Sequence, residues 1–521
     1  MIAHILAKDL RRFWRETGAF VLVTFAWAMQ EAHPSYWIKQ HAEAALPMGL
    51  FLIWFFLIIR AVHGESLVGD REFWQTRPYV WWHLLLAKVA FLAIALNVPL
   101  TVAQIYLLSA SGVRWDASWL PGLLWLQLEF AVFLILPTVA LAALTETIVQ
   151  WLLTLVVIGL LIPVVSWLPW GRLQASLSGT EELAASIGII GIAVALALVI
   201  LLQYHDRHVW SARLLFAASV ASIPIVAVFA CSNLGRSLAY PGNRGANPLQ
   251  FATARTEETR YITADFDSLG THLQIPVGNV SVEPDTIVLV EGLRISLAGQ
   301  SGWHWDSSWQ NTNLLFTPIE EPGNFSADLP SDIAAKVADG AAASRAELAI
   351  AIYRMSRESR IDTGQVRFAV PGNGICAWPF PYRIGGMEIR SLNCVEALRG
   401  PDLMTVRVES AESTCAAGEE GYHLPPGHHA TSFHWNSGSG PANFDPNPVH
   451  KFDLTSGFGT WSPAIRDTTE PNGALQASVC PGTPLHLQIG SFVGRMRIAV
   501  DLGAVDKSNL QSDRQLFLKK R

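Results

Sequence analysis

The sequence predicts an α-helical polytopic membrane domain followed by a mainly β, sandwich-like soluble domain. Of the 521 residues, 50% are hydrophobic and only 15% are charged, whereas an average soluble domain carries about 25% charged residues. The charge deficit is confined to the first half, where apolar runs dominate from residue 18 to 231. Short alternating runs separated by turn residues, such as PLHLQIG and MRIAVDLG, follow in the second half and are typical of β-strands. We therefore expect a transmembrane domain over 1–231, a Gly/Pro/Asn-rich linker over 232–250 and a β-rich domain over 251–521.

The first half contains about seven apolar runs that approach or exceed the length of a membrane-spanning helix, which is roughly 20 residues. Their continuity favours helices over the strands of a barrel. Pro99, Pro137 and Pro163 lie within these runs and predict kinks. The predicted spans cover residues 18–32, 46–62, 83–109, 119–143, 148–169, 183–203 and 212–231.

The first 15 residues predict a basic amphipathic helix that lies on the membrane surface. Apolar residues recur at helical spacing on one face, and the other face carries Lys8, Arg11, Arg12 and Arg15. A signal peptide with the core AFVLVTFAWA is the alternative, but Asp9 and Glu16 in the charged lead and the many following spans argue against it. With the N-terminus in the cytoplasm, most Lys and Arg residues of the short loops lie on the cytoplasmic side, as the positive-inside rule requires. We therefore expect this orientation. Seven spans then place the β-rich domain outside.

The cysteines of the second half support an exported domain. Four of the five cysteines lie there, and they form no CxxC pair: Cys376, Cys394, Cys415 and Cys480. An even set in an exported domain suggests two disulfides, for which three pairings exist. We favour the pairing Cys376–Cys394 and Cys415–Cys480, because each bridge joins cysteines that are neighbours in sequence order. Four buried free thiols are the alternative.

The second half offers no set of catalytic residues. It contains no Walker A loop, GxSxG elbow, HExxH helix or GxGxxG turn, so we expect neither an enzyme nor a metal site in this chain. The histidine-rich run 421–435, with His423, His428, His429 and His434, is interpreted as a solvated loop, and a transition-metal site is the alternative. The aromatic run SGWHWDSSW is interpreted as a buried edge of the sandwich rather than a ligand platform. An Ala-rich stretch over 331–355 predicts a helix. No Lys/Arg-rich stripe with interleaved aromatics indicates nucleic acid as a partner.

Two polar residues stand out within the fourth predicted span, in the run LLWLQLEFAVF. Glu129 lies about ten residues into this span, beside Gln127. An ionisable side chain at such depth is costly and indicates a functional role by default. Glu129 and Gln127 are therefore candidates for a path through the membrane, and pairing with a neighbouring span is the alternative.

Three stretches of the first half resemble the permease subunit of ABC-2 type ABC transporters. They are the N-terminal helix HILAKDLRRFW, the polar run GDREFWQTRPYVWWHLLLAK between the second and third spans, and the turn LPTVALAALTETIVQWLL. The E-F-W-x-T-R-P stretch is the most specific of the three, and the resemblance covers about residues 1–210. The seventh span and the large C-terminal domain depart from the family's pattern.

The resemblance implies a subunit of the bacterial cytoplasmic membrane that works with a separate ABC ATP-binding subunit. That partner would bind ATP and Mg²⁺, and a second permease chain, identical or different, would complete the membrane unit among the membrane lipids. The polar run would form a coupling helix on the ATP-binding partner, with charged and aromatic contacts from Asp70, Arg71, Glu72, Phe73, Trp74, Thr76, Arg77 and Pro78. The expected function is ATP-driven movement of an unknown substrate. The alternative is a non-transporting transmitter or sensor that acts through its outer domain.

Overall fold

The computed structural model divides into a helical first half and a mainly β second half. It describes residues 1–32, 45–64, 80–111, 119–167, 177–205, 208–242, 249–251, 271–276, 280–283, 285–316, 324–362, 367–370, 374–377, 382–384, 387–389, 393–398, 402–409, 429–435, 447–453, 484–505 and 510–512. This order of helices and strands confirms the coarse fold class that the sequence predicts.

The helices follow the apolar runs of the sequence. They are α1 (Ile2–Arg12), α2 (Trp14–Ala32), α3 (Ala45–His63), α4 (Trp81–Ala110), α5 (Trp119–Leu144), α6 (Ile148–Trp167), α7 (Ser178–His205), α8 (Val209–Ala230), α9 (Asn233–Ala239) and α10 (Ser331–Asp339). Five of them, α3, α4, α5, α7 and α8, are long and apolar enough to cross a membrane, by length and composition. The chain is therefore compatible with a multi-pass membrane protein.

Contacts between helix termini define two ends of the bundle. At one end His63 Nε2 lies 3.0 Å from the carbonyl oxygen of Ala142, and Arg213 Nη2 donates to the carbonyl of Leu144 at 3.3 Å. At the other end the starts of α5 and α7 contact the β-rich half. Helices α5 and α7 thus run between the two ends. At 28 residues, α7 is about 42 Å long, which exceeds the hydrocarbon core of a bilayer.

Helices α4 and α5 each contain one π-helical turn, at Ala93–Asn97 and Ala131–Ile135. Pro99 and Pro137 follow these turns within two residues. Proline lacks an amide hydrogen and its ring crowds the preceding turn, so the helix widens locally to accommodate it. The predicted irregularity at these prolines is thus taken up by a wide turn in each helix.

The β-rich half is built on one large sheet. Its strand order is β16-β15-β18-β8-β4-β5, with β6 also paired to β4 and β9 to β18. The described strands are β1 (Leu249–Phe251), β2 (Thr271–Pro276), β3 (Val280–Val282), β4 (Thr286–Gly299), β5 (His304–Asp306), β6 (Gln310–Phe316), β7 (Asn324–Leu329), β8 (Ala342–Met355), β9 (Ser359–Ile361), β10 (Arg367–Val370), β11 (Gly374–Ala377), β12 (Tyr382–Ile384), β13 (Met387–Ile389), β14 (Asn393–Ala397), β15 (Leu403–Glu409), β16 (His429–Trp435), β17 (Val449–Asp453), β18 (Leu485–Val505) and β19 (Leu510–Ser512).

One face of the large sheet packs against a second layer. This layer consists of α10 and the three-stranded sheet β19-β2-β7. Val290 and Leu348 of the large sheet share one core with Phe325 of β7 and Val337 of α10. The opposite face of the large sheet carries residues that meet the helical first half, such as Ala349, which packs with Leu177.

One local prediction is wrong. The helix predicted over 331–355 ends at Asp339, and Ala342–Met355 is the strand β8 at the centre of the large sheet. The alternation of buried and exposed residues at the start of this strand is that of a pleated strand rather than a helix. The predicted linker 232–250 also contains the helix α9, which Ser232 caps by accepting a hydrogen bond from the amide of Gly235.

The smaller sheet β10-β11-β14-β17 contains a disulfide between Cys376 and Cys394. The two residues are directly opposite each other on the antiparallel strands β11 and β14, so their sulfur atoms are within bonding reach. This confirms the predicted pairing of these two cysteines. Cys415 and Cys480 lie outside the described residues, and Cys231 is a free thiol.

Removal of the disulfide, as in Cys376→Ala with Cys394→Ala, should destabilise the smaller sheet. The bridge closes a separation of 18 residues, and a loop of that size stabilises a fold by about 3 kcal/mol in the chain-entropy model. The measurement is a urea titration of the whole chain in detergent. Proteolytic cleavage within residues 367–398 reports the fraction of chains in which this sheet is unfolded. Cys231→Ala is the matched control and should leave the midpoint unchanged. Equal midpoints for the double variant and the control would contradict a stabilising bridge.

Candidate functional site

A buried ion pair fastens the N-terminal helix to the helix bundle. Lys88 Nζ of α4 lies 2.9 Å from Asp9 Oδ2 of α1, and their side chains are only 5% and 1% exposed. Phe13 packs beside this pair against Phe91, with ring centroids 5.7 Å apart. Removing one partner of such a pair leaves a buried charge and costs about 3–5 kcal/mol. The apolar spacing of α1 is visible in the sequence, but the partner of Asp9, 79 residues away, is not.

The residues of the predicted coupling helix, from Asp70 to Pro78, lie outside the described residues. The chain on either side of them lies at the end of the bundle that carries α1. Arg12 Nη1 of α1 donates to the carbonyl of Gly64 at 3.2 Å. Trp81, the first residue of α4, meets His205 at the end of α7 edge-to-face, with ring centroids 5.0 Å apart. The described residues on both sides of 65–79 therefore lie at the same end of the bundle.

The two polar residues predicted to line a membrane path have different partners. Gln127 Nε2 donates to Gln104 Oε1 of α4 at 2.7 Å, and Gln104 is fully buried. Glu129 is half-buried and accepts a hydrogen bond from the indole of Trp125, one turn earlier on the same helix. The structure thus pairs Gln127 with a neighbouring helix, and it does not bring Glu129 and Gln127 together in one site.

A polar cluster joins the β-rich half to the start of α7. Arg495 of β18 binds both carboxylate oxygens of Glu291 of β4, at 2.8 and 3.1 Å. Tyr240, which follows α9, donates from its hydroxyl to Glu291 Oε2 at 2.6 Å and accepts from the amide of Gly179 at 2.9 Å. Arg495 Nη1 also lies 2.9 Å from Glu182 Oε2 on the first turns of α7. We call these five residues, Gly179, Glu182, Tyr240, Glu291 and Arg495, the joint.

Close backbone contacts surround the joint. Leu177, which precedes α7, is fully buried with Tyr240, Trp309 and Ala349. A Cβ on Gly292 would lie 2.5 Å from Leu177 Cδ2, and a Cβ on Gly179 would lie 2.5 Å from Arg495 Cδ. Neither position has room for a side chain, because real Cβ atoms do not approach that closely. The start of α7 and the sheet therefore pack so closely that only glycine fits at positions 179 and 292.

A β-bulge presents Glu291 to the helices. Against β8, Val290 and Gly292 pair with the consecutive residues Ile350 and Ala349, so Glu291 is an extra residue in β4 at this point. Such a bulge redirects a side chain relative to the regular alternation. In the sequence Glu291 directly follows the apolar run IVLV, and this abrupt charge is the signal that sequence reasoning missed.

The electrostatics of the joint fix the protonation states of Tyr240 and Arg495. Burial raises the pKa of Tyr240 well above its usual range, and the neighbouring Glu291 carboxylate raises it further. Burial alone would lower the pKa of Arg495, but its hydrogen bonds and its attraction to Glu291 and Glu182 outweigh this effect and raise it. Arg495 is thus a permanent cation and Tyr240 a permanent neutral donor at neutral pH, and neither acts as a pH switch.

A second contact links the disulfide-bonded sheet to the helices. Leu398, which has a φ of 61°, lies against Gly122 near the start of α5, where a Cβ would come within 2.9 Å of Leu398 Cδ1. Asn447 Nδ2 donates to Glu31 Oε2 near the end of α2 at 3.4 Å. Both modules of the β-rich half thus contact the helix bundle at the end opposite α1.

The remaining sequence motifs of the second half are distributed as follows. His429 and His434 belong to strand β16, so the predicted loop is wrong for that part, while His423 and His428 lie outside the described residues. No group of three potential metal-binding side chains occurs among the residues with described positions. In the aromatic run Trp309 is buried and Trp303 partly buried, while His304 is exposed and lies 3.2 Å from Asp306.

Comparison with known proteins assigns no family. No family model matches the sequence, and no curated protein matches it.

Removal of the buried carboxylate of the joint should be far more damaging than removal of the exposed one. Both bind Arg495, but the Glu291 side chain is 4% exposed and the Glu182 side chain 58%. Glu291→Ala should lower the free energy of unfolding by about 3–5 kcal/mol, and Glu182→Ala by less than about 1 kcal/mol. Denaturant unfolding of the whole chain and hydrogen exchange at the first turn of α7 measure both effects. Equal losses would show that burial of the ion pair does not dominate the joint.

Proposed function

We propose that this chain is the transmembrane subunit of an ABC transporter of the ABC-2 type, in which a separate ATP-binding subunit hydrolyses ATP. In this proposal seven helices, α2 to α8, cross a bacterial cytoplasmic membrane. The N-terminus and α1 lie in the cytoplasm, and the β-rich half lies outside. The substrate class is open among lipids, polysaccharides, drugs and peptides.

The observation that carries the proposal is the attachment of α1 through the buried pair of Asp9 and Lys88. A basic amphipathic helix lying on a membrane surface is otherwise held only by its apolar face and its lipid contacts. Here it is fixed to α4, the helix that follows the candidate coupling residues 70–78, by an ion pair 2.9 Å long. An elbow helix and a coupling segment that meet at one end of the bundle are the arrangement that the resemblance leads us to expect.

The arrangement of the helices supports the proposed topology. Five helices meet the length and composition of a span, and α2 and α6, with 19 and 20 residues, supply the remaining two. Helix α1 and the β-rich half lie at opposite ends of the bundle, as an odd number of crossings requires. The excess of Lys and Arg in the loops at the α1 end favours a cytoplasmic position for that end.

The proposed partners follow from the coupling residues. Phe73 and Trp74 would insert into an apolar cleft of the ATP-binding subunit, and Asp70, Arg71, Glu72 and Arg77 would pair with its charges. Aromatic and arginine anchors of this kind dominate the energy of protein interfaces. ATP and Mg²⁺ belong to that subunit, and a second permease chain, identical or different, would pair with this one in the membrane.

Substitution of the coupling anchors, as in Trp74→Ala with Arg77→Glu, should abolish copurification of the ATP-binding subunit encoded beside this chain. The double variant loses an aromatic anchor and reverses a charge, and each hot-spot residue contributes about 2 kcal/mol or more. The measurement is the amount of ATPase retained on tagged, detergent-solubilised chain. Trp210→Ala removes an exposed Trp at the same end of the bundle and should retain the ATPase. Unchanged retention in the double variant would remove the coupling role.

A second candidate function, mechanical transmission to the β-rich half without transport, is favoured by the path of α7. One end of α7 meets Trp81, the residue that begins α4 after the coupling segment. The other end meets the sheet through Leu177, Glu182 and Arg495. A single rigid helix thus connects the proposed ATPase side with the joint, and its displacement would move the large sheet.

The two functions differ in what accompanies ATP hydrolysis. We expect the chain, reconstituted with its ATPase in vesicles and supplied with ATP and Mg²⁺, to move a lipid, polysaccharide, drug or peptide probe. Labels at Asp332 in α10 and at Glu146 after α5 report movement of the β-rich half in the same sample. Displacement between the labels without flux of any probe would contradict transport and would favour mechanical transmission. The Glu291→Ala variant should reduce displacement in either case, because it weakens the joint.

A further inference from the structure

An apolar groove lies where α1 passes into α2. It has a volume of about 790 Å³ and is lined by Leu10, Trp14, Gly18 and Leu22, with the side chain of Arg15 at its wall. Trp14 and Leu22 are 63% and 73% exposed. The floor is open at Gly18, where a Cβ would meet no atom within 4 Å. The groove is therefore shallow and open along the exposed face of residues 10–22, where an elongated apolar group can lie.

The charge around the groove is positive. The two acidic residues nearby are already paired: Asp9 with Lys88 at 2.9 Å and Glu16 with Arg60 at 3.5 Å. Arg15 lines the groove, and Arg11 does not line it but directly follows the lining residue Leu10. Both arginines are exposed, and the guanidinium of Arg15 lies 5.5 Å from the ring centroid of Trp14. Neither arginine forms an ion pair within the described part of the chain. Positive charge beside an apolar cleft is complementary to an amphiphile with an anionic head.

We propose that this groove binds one anionic phospholipid, with the phosphate at Arg15 and Arg11 and an acyl chain along Leu10, Gly18 and Leu22. The apolar lining selects a lipid over free phosphate, because an inorganic anion would leave the cleft without an apolar occupant. Trp14 lines the groove beside the Arg15 guanidinium, and aromatic side chains favour the membrane interface. The inference deepens the proposed function by naming a lipid partner of the elbow, yet it requires only that α1 lies at a membrane surface.

Three variants separate the head from the tail of the ligand. Arg15→Gln removes a charge and keeps the groove. Each Lys or Arg near an anionic surface contributes about 1 kcal/mol, so the preference for an anionic head should fall about fivefold, with a smaller or similar fall for Arg11→Gln. Gly18→Leu places a side chain in the open floor without a clash and with better helix propensity. It should lower retention of phospholipids of either head group. Arg345→Gln, an exposed arginine of β8, is the control.

The test uses the full chain in detergent, with phosphatidylglycerol and phosphatidylcholine of identical acyl chains, and counts retained lipids by native mass spectrometry. We expect preferential retention of phosphatidylglycerol by the wild type and by Arg345→Gln, and the losses above in the groove variants. Equal retention of the two lipids by the wild type, displacement of phosphatidylglycerol by inorganic phosphate, or wild-type behaviour of both Arg15→Gln and Gly18→Leu would overturn the proposal. Gel filtration verifies that the variants are folded. Because no ATPase is present, failure here leaves the proposed coupling role untouched.

Discussion

The organisation of the two halves depends on the polar contacts that Tyr240 and Glu182 of the helical half make with the buried ion pair of Arg495 and Glu291 in the sheet. The Glu291 side chain is only 4% exposed. A buried charge of this kind is stable only while its ion-pair partner and its hydrogen-bond donors remain in place. Those donors are Arg495 of the sheet and Tyr240, which follows α9 of the helical half. Separation of the sheet from the helices would leave Arg495 and Glu291 paired but would remove the Tyr240 hydroxyl from Glu291 and Glu182 from Arg495. The β-rich half is therefore attached to the bundle by polar chemistry as well as by apolar packing.

The opposite end of the bundle uses the same principle. Asp9 and Lys88 are both buried. Separation of α1 from α4 would therefore leave a buried charge without its partner. Between the two ion pairs lie continuous helices, of which α7 reaches from Leu177 at the joint to His205 beside Trp81. The π-helical turns before Pro99 and Pro137 make α4 and α5 irregular in the middle, whereas α7 is regular over its whole length. The rigid path through the bundle is thus α7.

Local patterns predicted the elements well where one pattern was dominant. Continuous apolar runs became helices, and alternating runs such as PLHLQIG became strands, because each follows the period of its own backbone hydrogen bonding. The pattern failed at 342–355, where alanine is compatible with either period. The pairing of β8 with β4 and β18 decided that segment. The disulfide was predicted only as the favoured pairing of sequence neighbours, and the antiparallel register of β11 and β14 explains it.

The sequence by itself determined the division into an apolar helical half and a β-rich half, the basic character of α1 and the resemblance carried by E-F-W-x-T-R-P. These properties are local, since composition and periodicity act within a few turns of chain. Only the tertiary structure decided which charges are buried together, because Glu291 and Arg495 are 204 residues apart and Asp9 and Lys88 are 79 apart. It also decided that Gly179 and Gly292 are required by close packing, since that constraint comes from side chains elsewhere in the chain. Long-range pairing of this kind leaves no periodic trace in a single sequence.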